Sequence, residues 1–131
     1  MTTTVEIIKV NETDKHEGTV IIDINGGQYD AFYWGDNFKP GDKAKVTLTQ
    51  LEYPLTWETI FRENKGREIK IEKSNQDNWR YHCYGTIKSI QPIIADFGDL
   101  QLDLGDWTND EKVVGEYIYW TIDRLDIQRA E

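Results

Sequence analysis

The chain has 131 residues and a single cysteine, so one compact domain with a buried core and no internal disulfide is expected. Its formal net charge is −9, and because nucleic-acid binding depends on Lys and Arg that face phosphates, a general nucleic-acid binder is not expected. No apolar run is long enough to span a bilayer, and no secretory leader is visible. These features predict a cytoplasmic protein that does not engage a membrane.

Alternation of apolar and polar residues dominates the chain, and this period is typical of half-buried antiparallel strands. Turn sequences separate the apolar runs, among them Asn25-Gly26-Gly27 and Pro40-Gly41. The pattern predicts nine strands, near residues 5–10, 19–24, 28–34, 42–51, 68–73, 79–90, 93–97, 99–104 and 116–127.

Several aromatic residues lie on these strands, and alternation assigns each of them to one of two faces. Phe32, Trp34 and Trp120 fall on the face that we expect to be buried. Tyr29 and Tyr33 fall on the opposite face and are expected to point outward.

One short stretch, residues 56–63, predicts a helix. Trp57, Ile60 and Phe61 have the i, i+3, i+4 spacing of an apolar stripe, and Thr56 is a candidate N-cap. A helix this short is stable only when its stripe is packed. We therefore expect it to plug an open end of the β structure with Trp57 in the core.

Two segments, residues 41–53 (GDKAKVTLTQLEY) and 115–127 (GEYIYWTIDRLDI), align without a gap. Their inner-face positions match in apolar character: Ala44, Val46 and Leu48 against Ile118, Trp120 and Ile122. Both segments then break step at Leu51 and Leu125, which predicts a shared bulge or bend. Upstream, residues 22–24 match 95–97, and residues 34–36 match 104–106.

These matches favour two internal repeats, residues 4–53 and 79–127, linked by residues 54–78 within a single domain that covers residues 1–131. The alternative is convergent turn chemistry, since a Gly-Asp turn before an alternating strand occurs in many small barrels. Either way the predicted fold class is all-β: about nine antiparallel strands that form a barrel or a two-layer sandwich, with one short helix. The architecture resembles an OB-type barrel, and two OB-like repeats are one form of it.

The sequence has no motif typical of catalysis, a cofactor or a metal site. Cys83 and His82 are neighbours, but successive strand residues point to opposite faces, so they cannot act as a thiolate and base pair. One cysteine and two separated histidines provide no zinc spacing, and the clustered aspartates lack the calcium-loop pattern. We expect neither enzyme activity nor a cofactor, although carboxylates assembled by folding would leave no motif.

The acidity is concentrated late in the chain, where residues 91–131 contain ten acidic and three basic residues. The outward positions of the first matched segment are Lys43, Lys45, Thr47 and Thr49, whereas those of the second are Tyr117, Tyr119, Thr121 and Asp123. Paired tyrosines on a solvent face are typical of protein interfaces. The predicted partner-binding residues are Tyr117, Tyr119, Asp123, Trp107, Asp103, Asp106, Asp110 and Glu111.

Two classes of function remain open at this point. The first is a non-enzymatic acidic binding protein that engages a basic protein partner, in the manner of an immunity or inhibitor protein. The second is a ligand-binding β domain, OB-like or carbohydrate-binding, that uses exposed aromatic residues. The oligomeric state is not predicted by any pattern in the chain.

Overall fold

The computed structural model describes residues 2–52, 54–75 and 79–130. In these ranges the strands are β1 (Thr2–Asp14), β2 (Glu17–Ile24), β3 (Gly27–Trp34), β4 (Lys43–Glu52), β5 (Lys70–Lys73), β6 (Tyr81–Ser89), β7 (Ile94–Asp96), β8 (Gln101–Asp103) and β9 (Tyr117–Arg129). The α-helix is α1 (Trp57–Arg62), and a single 3-10 turn covers Glu111–Val113. The predicted all-β class with one short helix is confirmed.

The strands form one hydrogen-bonded sheet in the order β3-β2-β1-β4-β9-β6-β7-β8, and β5 pairs with β6. The pairs β1–β2, β2–β3, β1–β4 and β6–β9 are antiparallel. β3 also pairs with β9, in parallel, through Phe32 and Tyr33. This last pairing closes a ring of five strands, β1, β2, β3, β9 and β4.

Backbone contacts divide the chain into two compact units, which we call unit 1 (residues 1–51 and 124–131) and unit 2 (residues 52–123). The core of unit 1 includes Val5, Ile7, Val20, Ile22, Ile24, Val46, Leu125 and Ile127. The core of unit 2 includes Tyr81, Cys83, Ile87, Ile93, Phe97, Leu100, Leu102, Leu104, Ile118 and Ile122.

The glycines that open the two matched segments have equivalent hydrogen bonds in their own units. The Gly41 amide donates to the Ile7 carbonyl at 2.7 Å, and the Gly115 amide donates to the Ile87 carbonyl at 2.8 Å. Both glycines have a φ of 89°, a region in which a side chain is strained. A bulge follows each of the two isoleucines in its strand. The units therefore share a local topology, and duplication as its origin stays a prediction.

The predicted faces of β3 are wrong. Tyr29 and Tyr33 are buried, whereas Trp34 is 43% exposed and Phe32 is half-buried on the outer side. The two-residue turn at Asn25-Gly26 places Tyr29 opposite Ile22 on the neighbouring strand. Since directly opposed residues point to the same side of a sheet, the burial of Ile22 requires the burial of Tyr29.

The predicted shared break between the matched segments is also wrong. Leu125 is buried, but Leu51 is 46% exposed because the alternation of β4 simply continues past Leu48. The proposed match of residues 34–36 with 104–106 is displaced as well. The match of residues 22–24 with 95–97 aligns Ile21 with Ile94. Asp30 lies opposite Ile21, and Asp103 lies opposite Ile94. On that alignment Leu104 corresponds to residue 31 and not to residue 34.

Candidate functional site

An aromatic cluster in unit 2 joins α1 to the loop that follows β8. Trp57 stacks on Phe61 with ring centroids 5.6 Å apart, and it meets Trp107 edge to face at 4.8 Å. Trp107 in turn stacks on Trp120, with centroids 6.1 Å apart and an interplanar angle of 10°. The cluster therefore extends from a buried residue of β9 to the exposed surface of the helix.

The helix itself forms for the predicted reasons. The Thr56 hydroxyl accepts a hydrogen bond from the Thr59 amide at 3.2 Å, which confirms the N-cap, and Ile60 is buried. The expected burial of Trp57 is wrong, since this side chain is 52% exposed. Trp107 packs against Trp57 and is itself backed by Trp120, so α1 buries Ile60 and leaves about half of the Trp57 side chain in solvent.

The structure does not bring Trp107 to the tyrosines of β9. Trp107 stacks on Trp120, which is buried and belongs to the opposite face of the strand from Tyr117 and Tyr119. The indole Nε1 atoms of Trp107 and Trp120 are both buried, and neither has a hydrogen-bond partner among the described residues. The predicted surface is thus divided into an aromatic part at α1 and a tyrosine part on the outer face of β9.

The four predicted acidic residues that precede β9 are all exposed: Asp103, Asp106, Asp110 and Glu111. Two of them also shape the loop. An Asp103 side-chain oxygen accepts from the Gly105 amide at 2.9 Å, and an Asp110 oxygen accepts from the Lys112 amide at 3.0 Å. Residues 91–116 contain seven carboxylates and one basic residue, Lys112. The segment that contains Trp107 is therefore strongly negative.

The outer face of β9 is a polar network in which Tyr119 is central. The Thr121 hydroxyl donates to the Tyr119 hydroxyl at 2.8 Å, and His82 Nδ1 lies 2.6 Å from the same oxygen. The Tyr84 ring packs at 5.2 Å from the Tyr119 ring. Burial, together with the nearby Tyr119, Glu72 and Glu68, raises the pKa of Tyr84. Tyr119 is half-buried, and its hydroxyl is satisfied within unit 2.

Sequence reasoning missed His82 and Tyr84 as members of this face. Alternation had placed both on the same side of β6, and that assignment is confirmed. The missing step was the pairing of β6 with β9, which puts Tyr84 opposite Tyr119 and His82 opposite Thr121. Alternation gives the face of each strand but not its neighbour, so no local signal identifies this pairing.

Tyr117 and Asp123 lie at the two ends of the same face. The Arg67 guanidinium is 5.1 Å from the centre of the half-buried Tyr117 ring. The Asp123 carboxylate accepts a hydrogen bond from Arg80 Nε at 2.9 Å. Because Arg80 compensates the charge of Asp123, this carboxylate adds little to an acidic surface.

Cys83 and His82 point to opposite sides of β6, as predicted. Cys83 is buried, and burial raises the pKa of its thiol, so a reactive thiolate is not formed near neutral pH. Within residues 2–52, 54–75 and 79–130, no group of three or more His, Cys, Asp or Glu side chains is arranged to hold a metal ion.

Comparison with known proteins gives no relative. No family model matches the chain, and no curated protein or solved structure is significantly similar to it. Among the described residues, no helix has the length and apolar character needed to cross a membrane. Any functional argument therefore depends on the side chains themselves.

Proposed function

We propose that this chain is a non-enzymatic, acidic binding protein that engages a basic protein partner through unit 2. The proposal rests on the exposure of Trp57. This side chain is 52% exposed and packs on Trp107, which lies in the acidic segment 91–116. Exposed tryptophan on a rigid support is typical of the anchor residues of protein interfaces. We call the group of Trp57, Trp107, Asp106, Asp110 and Glu111 the Trp57 surface.

The charge of unit 2 indicates that the partner's surface is basic. Unit 2 contains fourteen acidic and eight basic residues, and residues 91–116 account for the whole of this excess. A negative surface attracts a basic partner over distances of about a Debye length, roughly 8 Å at physiological salt, and so speeds association. In this arrangement Trp57 supplies most of the binding free energy, and the carboxylates supply rate and orientation.

The tyrosine face has a secondary place in this proposal. Tyr117, Tyr119 and Asp123 have intramolecular partners, so a bound protein would compete with contacts that already exist. We assign them to the rim of the interface or to the stability of unit 2. The exposed carboxylates of Asp106 and Glu111 have a clearer route to a partner's Lys and Arg.

An inhibitor or immunity role in the cytoplasm is the form of this function that we propose. Such proteins need a charged, aromatic surface and no catalytic group of their own. The ring of β1, β2, β3, β9 and β4, with its parallel β3–β9 pair, supports an OB-like interpretation of unit 1. That interpretation is an analogy of fold and carries no function.

The test is a binding measurement with Trp57→Ala. The probe is a purified basic protein whose gene lies beside the gene for this chain, and binding is measured by surface plasmon resonance with the full chain immobilised. Loss of an anchor residue typically costs about 2 kcal/mol or more, which is about thirtyfold in Kd. Trp34→Ala, which removes an exposed tryptophan from unit 1, is the matched control and should bind like the wild type.

A second pair of changes tests the charge. Asp106→Asn combined with Glu111→Gln should lower the association rate constant and leave the dissociation rate nearly unchanged. Raised salt should have the same effect on the wild type. A Kd for Trp57→Ala within about twofold of the wild-type value, or an association rate indifferent to salt, would refute the proposal.

A further inference from the structure

Two adjacent grooves lie on the outer face of β1, β2 and β3 in unit 1. The first has a volume of about 360 Å³ and is lined by Lys9, Asn11, Thr19, Ile21 and Asp30, with Val10 and Val20. The second has a volume of about 300 Å³ and is lined by Thr13, Glu17, Phe32, Trp34 and Arg124, with Gly18 and Tyr33. Neither groove includes a residue of the Trp57 surface.

Strand register places the two grooves side by side. Thr19 lies opposite Asn11 on one side and opposite Phe32 on the other, so these three side chains form one row across the sheet. Thr19 and Asn11 line the first groove, and Phe32 lines the second. A ligand that crosses this row would occupy both grooves.

The second groove offers an aromatic platform. Trp34 is 43% exposed there and lies opposite Glu17 on β2. The guanidinium of Arg124 lies over the Phe32 ring, 4.6 Å from its centre. The exposed indole of Trp34 is thus bordered by the Glu17 carboxylate, and Arg124 covers a face of the neighbouring Phe32 ring.

The charges of the lining residues argue against an anionic ligand. The Arg124 guanidinium is held by Asp126, with Nε at 2.7 Å and Nη2 at 3.1 Å from the two carboxylate oxygens. Asp126 is buried. A phosphate that bound the Arg124 guanidinium would leave the buried Asp126 carboxylate without its ion-pair partner, which is costly. Lys9 is the other cation in the two linings, and Glu17 and Asp30 oppose it.

We propose that this grooved face binds a neutral oligosaccharide of at least two sugar rings. The apolar face of one ring stacks on Trp34, and its hydroxyl groups meet Glu17 and Thr13. The next ring lies in the first groove, where Asn11, Thr19 and Asp30 offer both hydrogen-bond donors and acceptors. Each groove is at the small end of the ~300–1,000 Å³ range of ligand pockets, which suits linked small rings better than one large ligand.

The charge of the lining residues favours a neutral sugar over single-stranded nucleic acid as the ligand of this face. Single-stranded nucleic acid needs a positive track along its phosphates, and these linings have no net positive charge. A sugar has no charge to satisfy, and its hydroxyl groups match side chains that are present on three strands. Binding to this face should therefore be nearly insensitive to salt.

The test is ligand-detected NMR and calorimetry on the full chain with a panel of neutral trisaccharides: maltotriose, cellotriose, xylotriose and triacetylchitotriose. An oligothymidylate and an uncharged peptide that contains tyrosine serve as competing ligand classes. At least one sugar should bind the wild type, and Trp34→Ala should weaken it at least tenfold. Thr19→Val should weaken it as well, because it removes a hydroxyl at the junction of the grooves while keeping the shape of the side chain.

Trp57→Ala is the matched control, and its sugar affinity should equal that of the wild type. Thermal unfolding of each variant separates loss of binding from loss of folding. The proposal is overturned if no trisaccharide of the panel binds, if Trp34→Ala binds as tightly as the wild type, or if only the oligothymidylate or the peptide binds.

Discussion

Asn64 ties the turn after α1 to strand β9, and its replacement by alanine should destabilise unit 2. The side chain is only 7% exposed. Its Nδ2 donates to the carbonyl oxygens of Glu68 at 2.9 Å and of Ile118 at 3.0 Å, and its Oδ1 accepts from the Glu68 amide at 2.8 Å. Three backbone groups therefore depend on a single side chain.

The expected loss follows from those three groups. Removing one partner so that a buried polar group is left unsatisfied costs about 1–3 kcal/mol. The Ile118 carbonyl lies in the buried part of β9, and the two groups of Glu68 lie nearer the surface, where water replaces part of the loss. We expect Asn64→Ala to lower the free energy of unfolding by about 3 kcal/mol.

The assay is urea unfolding followed by tryptophan fluorescence, because four of the five tryptophans lie in unit 2. The midpoint should fall while the m-value stays constant. Asn109→Ala, an exposed asparagine in the loop before β9, is the control and should change stability by less than about 0.5 kcal/mol. If Asn64→Ala unfolds at the wild-type midpoint, the attribution of this stability to the three hydrogen bonds is incorrect.

Three further changes test the packing and the protonation of the core. Gly85→Ala should prevent stable folding of unit 2, since a Cβ at this position would collide with the backbone carbonyl of Asp96; circular dichroism of the purified variant checks this. Burial raises the pKa of the Cys83 thiol above its value of about 8.5 in the unfolded chain. Because the thiol then ionises more easily in the unfolded state, the free energy of unfolding is unaffected below about pH 8.5 and falls above it, by about 1.4 kcal/mol at about pH 9.5. Cys83→Ala should remove this fall, which urea unfolding at several pH values measures. If the free energy of unfolding falls with pH as steeply in Cys83→Ala as in the wild type, the fall does not come from Cys83. Arg129→Ala should destabilise unit 1 by about 1 kcal/mol, because Arg129 donates an exposed hydrogen bond to the Asn37 carbonyl at 2.7 Å and covers the Phe38 ring; Arg129→Lys should recover little of this in thermal unfolding.

The strands and the helix could be predicted because their signals are local. Alternation depends only on neighbouring residues, and the N-cap at Thr56 involves a residue three positions away. The face of β3 was also within reach, because the turn at Asn25-Gly26 fixes its register against β2. The size of an aromatic side chain does not decide its burial on β3; the pairing with β2 does.

The candidate site was harder to predict because it depends on contacts between distant parts of the chain. His82 reaches Tyr119 across 37 positions, and Trp57 meets Trp107 across fifty. Periodicity assigned Trp57 to the buried stripe of α1, but the stripe has more aromatic surface than the space behind it can accept. The acidic segment can be read directly from the sequence, whereas only the fold identifies Trp57 as the exposed aromatic residue that contacts it through Trp107.

The two proposed sites make opposite predictions for the same two variants. Trp57→Ala should lose the protein partner and keep the oligosaccharide, and Trp34→Ala should lose the oligosaccharide and keep the protein partner. Salt should also distinguish the two sites. Raised salt should slow association of the protein partner at the Trp57 surface, whereas oligosaccharide binding should hardly change because the residues that line the grooves have no net charge. If either variant loses both ligands while its thermal unfolding is unchanged, the two surfaces do not act independently, and the assignment of one ligand to each unit is wrong.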